Sequence, residues 1–489
     1  MKTLENILNP LRIKGNKLSP HLEVLGIQQK ADAVKAGDVF FAIRGTQVDG
    51  HQFIPQALSQ GAIAVVVETE SAYQKYPQTV WVDCVRSQWA EAASAWFANP
   101  TDCFSLVGVT GTNGKTTSAY LLREVWKGLG KNTGLVGTVE TLIGDESVPS
   151  NLTTPGPFEL QGIFRKMVER KVSHVVMEVS SIALDQKRVT GCHFNSAIFT
   201  NFTQDHLDYH GSFENYFSAK LKLFTDFGLP LAVLNLDDRW VKRILFEGRA
   251  KQNLTFSIQD ESADFFAESV KCSVEGTQAL LKTPVGDFAY RSSLIGAHNL
   301  ANVLGVLATV YGLGEDLTQA IYALQTATGA PGRLERVMQG TDYPIIFVDY
   351  AHTDDALKRV LEALRELQTQ KGKGRIITVF GCGGDRDKSK RPKMAKVVSQ
   401  LSDLAVITSD NPRTENPEII IDEICEGIIP NTKFHRETQR KLAIEWALSH
   451  ASTEDTILIA GKGHETYQII GKTQFPFDDR EVVRDYYKR

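Results

Sequence analysis

Leu106-Val-Gly-Val-Thr-Gly-Thr-Asn-Gly-Lys-Thr-Thr117 passes from an apolar run into a glycine-rich turn and then into a helical pattern. Phe104 to Val109 has the composition of a buried strand, and Leu121, Leu122, Val125, Trp126 and Leu129 recur on one side of the helix that follows. Strand, turn, Lys-Thr and helix in this order predict a phosphate cradle. The glycines let backbone N–H groups face phosphate oxygens, Lys115 meets the terminal phosphates, and the Thr116 hydroxyl reaches Mg²⁺. The general pattern requires a glycine where Val109 stands, so Thr110-Gly-Thr-Asn-Gly-Lys-Thr116 is a narrower variant. A glycine-rich turn with a solvated lysine is the alternative, and the apolar strand and helix on either side disfavour it.

Outward from the cradle, the chain of 489 residues has room for roughly three domains of ~150 residues. With 42% hydrophobic and 23% charged residues it can bury several cores. A net charge of −4 gives no general attraction to nucleic acid or anionic membranes. Met1 to Lys17 lacks the apolar core of a signal peptide, and Ala62 to Val67 is too short to cross a bilayer. Cys84, Cys103, Cys192, Cys272, Cys382 and Cys425 lack CxxC spacing, which argues against a disulfide framework or zinc site and for the cytoplasm.

Residues 1–100 read as a small N-terminal α/β domain, with strands at Asp38 to Ile43 and Ala62 to Glu68 and an amphipathic stretch from His51 to Gln60. Residues 101–330 read as a central P-loop ATPase-like α/β domain. Its strands at Val172 to Glu178, Ser196 to Thr200 and Leu231 to Asn235 each end in polar residues, where open α/β sheets bind ligands. A β-rich patch near 253–294 looks like an excursion, and Ala297 to Gly312 like a helix. After the break at Thr328-Gly-Ala-Pro-Gly-Arg333, residues 331–489 read as a C-terminal Rossmann-like α/β domain. Its strands are Ile345 to Asp349, Arg375 to Phe380, Leu404 to Thr408 and Thr456 to Ala460.

Spacing leaves individual roles open. Glu178 holds Mg²⁺ with Thr116 or merely caps a helix. His206 is a ligand or a structural histidine. Lys220 is not distinguishable from Lys222. Arg386 and Arg413, both in turns after strands, either bind an anionic group through their planar donor forks or lie on the surface; finding both in one domain tips the reading toward binding.

Together these residues resemble the Mur ligase family, the ATP-dependent enzymes that extend the peptide of the cell-wall precursor. The motifs carrying the resemblance are Thr110-Gly-Thr-Asn-Gly-Lys-Thr-Thr117, Leu152-Thr-Thr-Pro155, Met177-Glu-Val-Ser-Ser181, Asp205-His-Leu-Asp-Tyr-His-Gly211, Gly296-Ala-His-Asn-Leu300, Gly332-Arg-Leu-Glu335, Asp349-Tyr-Ala-His-Thr353 and Asp410-Asn-Pro-Arg413. The branch most similar adds meso-diaminopimelate to UDP-N-acetylmuramoyl-L-alanyl-D-glutamate through an acyl phosphate.

The resemblance implies that Gly111, Thr112, Asn113, Gly114, Lys115, Thr116, Thr117, Asn299, Arg333 and Asp349 bind ATP. It implies Mg²⁺ held by Thr116, Glu178, His206 and a carbamate on Lys220, with Lys115, Lys220 and His206 catalytic. Thr46, Gln47, Val48, Thr153, Thr154, Ser180, Gln186 and Arg188 would hold the UDP substrate. Arg386, Asp410, Asn411, Pro412, Arg413, Gly461 and Glu465 would hold diaminopimelate. A cytoplasmic monomer acting on these small molecules is expected, without nucleic acid or membrane insertion. The sequence departs from the family where Lys30-Ala31-Asp32 replaces Asp-Ser-Arg and where Ile182 replaces a histidine. Competing expectations are a lysine-adding or folate-polyglutamate ligase, and a nucleotide switch or general NTPase.

Overall fold

A computed structural model describes the chain apart from Met1, Thr46, Gln47, Asn151, Val274, Gln339, Thr341 and Arg489, together with the side chain of Gln370. Three sheets organise three layered α/β units. In the first, Asp38–Phe41, Ala64–Val67 and Thr79–Val82 pair in parallel, with Gly26–Gln28 at one edge and antiparallel Ile13–Asn16 at the other. The stretch from His51 to Gln60 forms a 3₁₀ turn, Gly50–Phe53, leading into the helix Ile54–Ser59.

The central unit is built on an 11-stranded sheet. The cradle strand Ser105–Thr110 is flanked in parallel by His174–Glu178 and Ser196–Phe199, so their polar ends open on one edge. Both faces are covered. Helices Lys115–Gly128 and Ala297–Gly312 pack on one side around Trp126, Leu304 and Leu307. Helices Pro157–Glu169 and Phe213–Thr225 pack on the other around Phe164, Phe217 and Phe224. Coverage on both faces explains why these strands are near-continuous apolar runs rather than alternating ones.

The β-rich patch is not an excursion. Gln252–Ser257 adds in parallel beside Leu231–Asn235, Phe265–Ser273 follows, and Gly276–Thr283 and Gly286–Ser292 complete an antiparallel edge of the same sheet. Short local connections let hairpins extend an existing edge, whereas the sequence pattern reveals only strands and turns.

The third unit has a six-stranded sheet in which Ile345–Asp349, Thr456–Ala460, Ile376–Phe380 and Leu404–Ile407 are parallel neighbours. Helix Asp354–Lys371 packs on one face, and helices Arg440–Ser449 and Asp479–Tyr487 on the other. Each expected strand is present within about two residues of its expected bounds, the usual fraying of element ends.

Candidate functional site

The cradle turn folds as it does because of its glycines. Gly114 has φ +85° and precedes the helix that begins at Lys115; a Cβ there would lie 2.5 Å from Asn302 Oδ1. The turn is also held by its neighbours. The Asn113 N–H donates to Asn201 Oδ1 at 2.9 Å, and the Thr200 hydroxyl donates to the Asn113 carbonyl at 2.6 Å. Thr112 and Thr117 lie within the same wall, and Lys115 Nζ donates to the carbonyls of Gly111 (2.9 Å) and Thr112 (2.8 Å). Burial lowers the Lys115 pKa, with Glu178 and Asp205 opposing and Arg333 reinforcing the shift.

The strand Val175, Val176, Met177 delivers Glu178 to the cradle with its side chain fully buried. The Thr116 hydroxyl donates to Glu178 Oε2 at 3.0 Å, the Thr138 N–H to Oε1 at 2.8 Å, and the Thr138 hydroxyl to Oε2 at 3.0 Å. Thr138 had no sequence assignment; its signal was its place just beyond Thr133–Val136, another parallel strand of this sheet.

Lys220 and Lys222 separate cleanly. Lys220 is 1% exposed and donates to the Gly111 carbonyl at 2.7 Å, with its ammonium 4.8 Å from the centre of the Tyr216 ring. Burial, reinforced by Lys115, holds its pKa well below that of an ordinary lysine, with Asp205 opposing. Lys222 lies at the surface and pairs with Asp185 at 3.1 Å. His206 has φ +50° and stands 3.5 Å from the Asp205 carboxylate, and burial lowers its pKa.

These groups line a cavity of about 260 Å³ between the central and third units. Asn299 of helix Ala297–Gly312 lines the central side, and the far wall is formed by Arg333, Asp349, Tyr350 and His352. Arg333 donates to Thr116 Oγ1 at 3.2 Å and lies 4.6 Å from the centre of the Tyr350 ring. Asp349 accepts the N–H groups of Leu334 (2.6 Å) and Ala351 (2.7 Å); burial nevertheless raises its pKa. Asn302 and Arg359 also line the cavity. Both sit on helices, and nothing in the sequence marks them.

Thr153 and Ser180 reach the same cavity, where Thr153 is 3.0 Å from the Thr138 hydroxyl. Thr154 donates to the Glu178 carbonyl at 2.8 Å, and Arg188 donates to the Thr154 carbonyl at 2.8 Å and to Gln186 at 2.7 Å. Of the first-domain positions, Val48 is exposed, while Thr46 and Gln47 fall outside the described residues.

A second cavity of about 460 Å³ is lined by Arg386, Asp410, Asn411, Arg413, Gly461 and Glu465, together with Lys390 and Lys393. Pro412 is buried beside it, in the turn that presents Arg413. Arg413 has φ +50° and is fixed through its N–H to the Ile469 carbonyl at 3.1 Å; of its guanidinium, Nη1 is engaged, by Gly384 O at 2.8 Å. Arg386 is exposed on the opposite loop. Beneath the wall, fully buried Lys462 donates to Glu465 (3.0 Å) and Asn411 (3.1 Å). Burial raises the Glu465 pKa against the opposing charge of Lys462. For Asp410, burial acts upward, but Lys462 and Arg440 bring the net value below the ordinary one. Lys462 stands between the expected site residues Gly461 and Glu465 but had no expected role of its own, because spacing does not reveal what a buried ammonium touches.

The two cavities share Asp205, His206, Tyr350, His352 and Thr353. Among the described residues no group of three or more His, Cys, Asp and Glu side chains could hold a metal ion by itself. Thr116 and Glu178 provide two hard oxygen donors, which suits a cation that takes its remaining oxygens from substrate phosphates and water.

The sequence matches three family models in order: "Mur ligase family, catalytic domain" over residues 23–95, "Mur ligase middle domain" over 109–310, and "Mur ligase, glutamate ligase domain" over 332–463. Among curated relatives, a UDP-N-acetylmuramoyl-L-alanyl-D-glutamate–2,6-diaminopimelate ligase of Gloeobacter violaceus is 43% identical, the match covering 95% of this chain and 94% of that one. The protein of the same name from Geobacter sulfurreducens is 40% identical over 98% and 97%. A solved structure of a ligase with this name has 32% identity and a TM-score of 0.72, covering 100% of this chain and 99% of the other. The matches run through all three units, and the chain belongs to the Mur ligase family.

Proposed function

We propose that the chain is an ATP-dependent amide ligase that joins meso-diaminopimelate to UDP-N-acetylmuramoyl-L-alanyl-D-glutamate in peptidoglycan precursor synthesis. The names of its relatives support this reading. The observation that carries it is the junction of the cavities at Asp205, His206, Tyr350, His352 and Thr353. A phosphate cradle there opens directly onto a cavity lined by arginines and carboxylates, as a reaction between an activated acid and an amino acid requires.

A carboxylate oxygen of the acceptor attacks the γ-phosphorus of ATP, the bond to the bridging oxygen breaks, and ADP leaves. The amine nitrogen of diaminopimelate then attacks the acyl carbon and loses a proton, and phosphate departs as the C–O bond breaks. Gly111, Thr112, Asn113, Gly114 and Thr117 shape the cradle, and Lys115 stabilises the charge of the transferring phosphoryl group. Asn299 holds the nucleotide from the central side, and Arg333 and Asp349 from the far wall. Thr153, Thr154, Ser180, Gln186 and Arg188, with Thr46, Gln47 and Val48 in the first domain, hold the UDP substrate.

Thr116, Glu178 and His206 would hold Mg²⁺, which supplies charge neutralisation on the phosphates when bound. A carbamate on Lys220 fits the same wall. Its depressed pKa favours the neutral amine that reacts with carbon dioxide, and the product is an anion in place of a buried cation. Mass spectrometry under native, bicarbonate-containing conditions would detect it.

The amino-acid cavity offers guanidinium forks for two carboxylates and Asp410 with Glu465 for an ammonium, with Asn411, Pro412 and Gly461 completing the wall. We take the chain to act as a monomer in the cytoplasm; no helix among the described residues is long and apolar enough to cross a membrane. The test is phosphate release from ATP and the UDP substrate with diaminopimelate, lysine or no amine. Release that requires diaminopimelate is expected. Release independent of amine would mark an NTPase, and release with lysine a lysine-adding enzyme, and either would refute the reading.

A further inference from the structure

Helix Asp354–Lys371 of the third domain begins against the phosphate cradle, and one carboxylate oxygen there serves three donors. Asp355 Oδ2 accepts Asn113 Nδ2 at 3.2 Å, the Thr203 hydroxyl at 3.0 Å and Arg359 Nε at 3.1 Å. Asn113 is a residue of the cradle turn. Thr203 is interlocked with the turn as well, its N–H donating to Thr112 Oγ1 at 3.0 Å while that hydroxyl donates to the Thr203 carbonyl at 3.1 Å. Asp355 thus grips the cradle from the opposite domain directly at Asn113 and through Thr203 at Thr112, and its place in the first turn of the helix favours the negative charge.

The backbone of Asn113 is already held from within the central domain by Thr200 and Asn201. Its side chain is held from the third domain. Both cavities need that domain in place, since each takes walls from both sides. A separate apolar contact, Cys272 and Ile295 in the cluster with Leu357, Leu361 and Leu364, docks the same helix without Asp355.

We propose that Asp355 is a positioning residue that ties the cradle to the amino-acid-binding domain, so that shaping of the nucleotide site and docking of that domain are one event. Nucleotide affinity and domain closure then carry a common coupling, which by linkage acts in both directions. This rests on the reading of the cradle as an ATP site.

Three variants test it, with ATP binding measured by calorimetry, steady-state KM for each substrate, and solution scattering of the ligand-free chain. Asp355→Ala should weaken ATP binding about tenfold, the loss expected for charge-assisted hydrogen bonds. It should raise KM for ATP and diaminopimelate together, leave KM for the UDP substrate unchanged, and enlarge the radius of gyration. Asp355→Asn retains an acceptor oxygen without the charge and should recover part of the affinity. Thr203→Val should weaken binding less than Asp355→Ala, and the two substitutions combined should lose less than the product of their separate effects, because they share one partner.

An Asp355→Ala chain that binds ATP as tightly as the unaltered chain overturns the proposal. So does a KM for the UDP substrate that rises as far as that for ATP, since general loosening would explain it. An unaltered chain that fails to bind ATP refutes the nucleotide assignment, and scattering then decides the latch alone: expansion in Asp355→Ala sustains it, and unchanged dimensions overturn it.

Discussion

At the scale of single residues, Lys220 and Lys222 are the sharpest contrast. They stand two positions apart on one helix, so their side chains point in different directions. Lys220 enters the interdomain cavity and touches the cradle backbone, while Lys222 meets a surface carboxylate. Lys220→Ala is expected to lower kcat at least about a hundredfold, the scale seen when a charge-stabilising group is removed from a reacting site. Lys222→Ala should change stability by less than about 0.5 kcal/mol and leave turnover intact. Equal effects of the two on kcat would refute this. In the function proposed above, Arg413 carries the selectivity. Diaminopimelate exceeds lysine by one carboxylate, and truncating one partner of a buried charge pair costs about 2–5 kcal/mol. Arg413→Ala should therefore weaken diaminopimelate use by roughly 30-fold or more while leaving ATP binding unchanged; an unaltered KM and rate for diaminopimelate would contradict it.

At the scale of elements, the strand–turn–helix of the cradle and the strands ending at Glu178, Asp349 and Ala460 were legible because their information is local: apolar runs, glycines and helical spacing. The hairpins of 265–292 were legible as strands but not as the edge of the central sheet, since pairing partners are not encoded in any one segment. Helix Asp479–Tyr487 shows the same limit. It is fastened to helix Arg440–Ser449 by a fully buried pair in which Arg440 Nε and Nη2 each donate to Asp479 at 2.7 Å. Nothing in the sequence joins residues 39 positions apart. Asp479→Ala leaves an uncompensated buried guanidinium and should cost about 3–5 kcal/mol, read as a lower urea midpoint. Arg440→Met with Asp479→Leu should cost clearly less; a double variant as unstable as the single one would refute the argument.

At the scale of the whole molecule, His298 and His352 line the interdomain cavity, and the His464 ring lies 5.1 Å from that of Tyr350, which lines the cavity. Burial brings the pKa of His298 and His352 down to about 4 and that of His464 to about 3, with Arg359, Lys390 and Arg333 respectively the leading cationic neighbours. The folded chain keeps them neutral while the unfolded chain takes up protons near 6.5, so their stability contribution is complete above that pH and is lost as the pH falls toward 4. Between pH 7 and pH 5 on the order of 2 kcal/mol per histidine is at stake. Melting temperature should fall from pH 7 to pH 5, and His464→Gln should flatten that decline; a pH-independent difference between the two proteins would refute it. The sequence by itself determined three α/β domains, the strand–turn–helix that carries Lys115 and Thr116, and the family to which its motifs point, because each of these is written in contiguous residues. Spacing left Lys220 and Lys222 alike and the family resemblance named Lys220; only the tertiary structure decided what that lysine touches, that Thr138 supports Glu178, that Lys462 underlies the second cavity, and that Asp355 reaches the cradle from another domain. Those roles depend on side chains far apart in the chain, which share an environment only after three sheets have folded and docked.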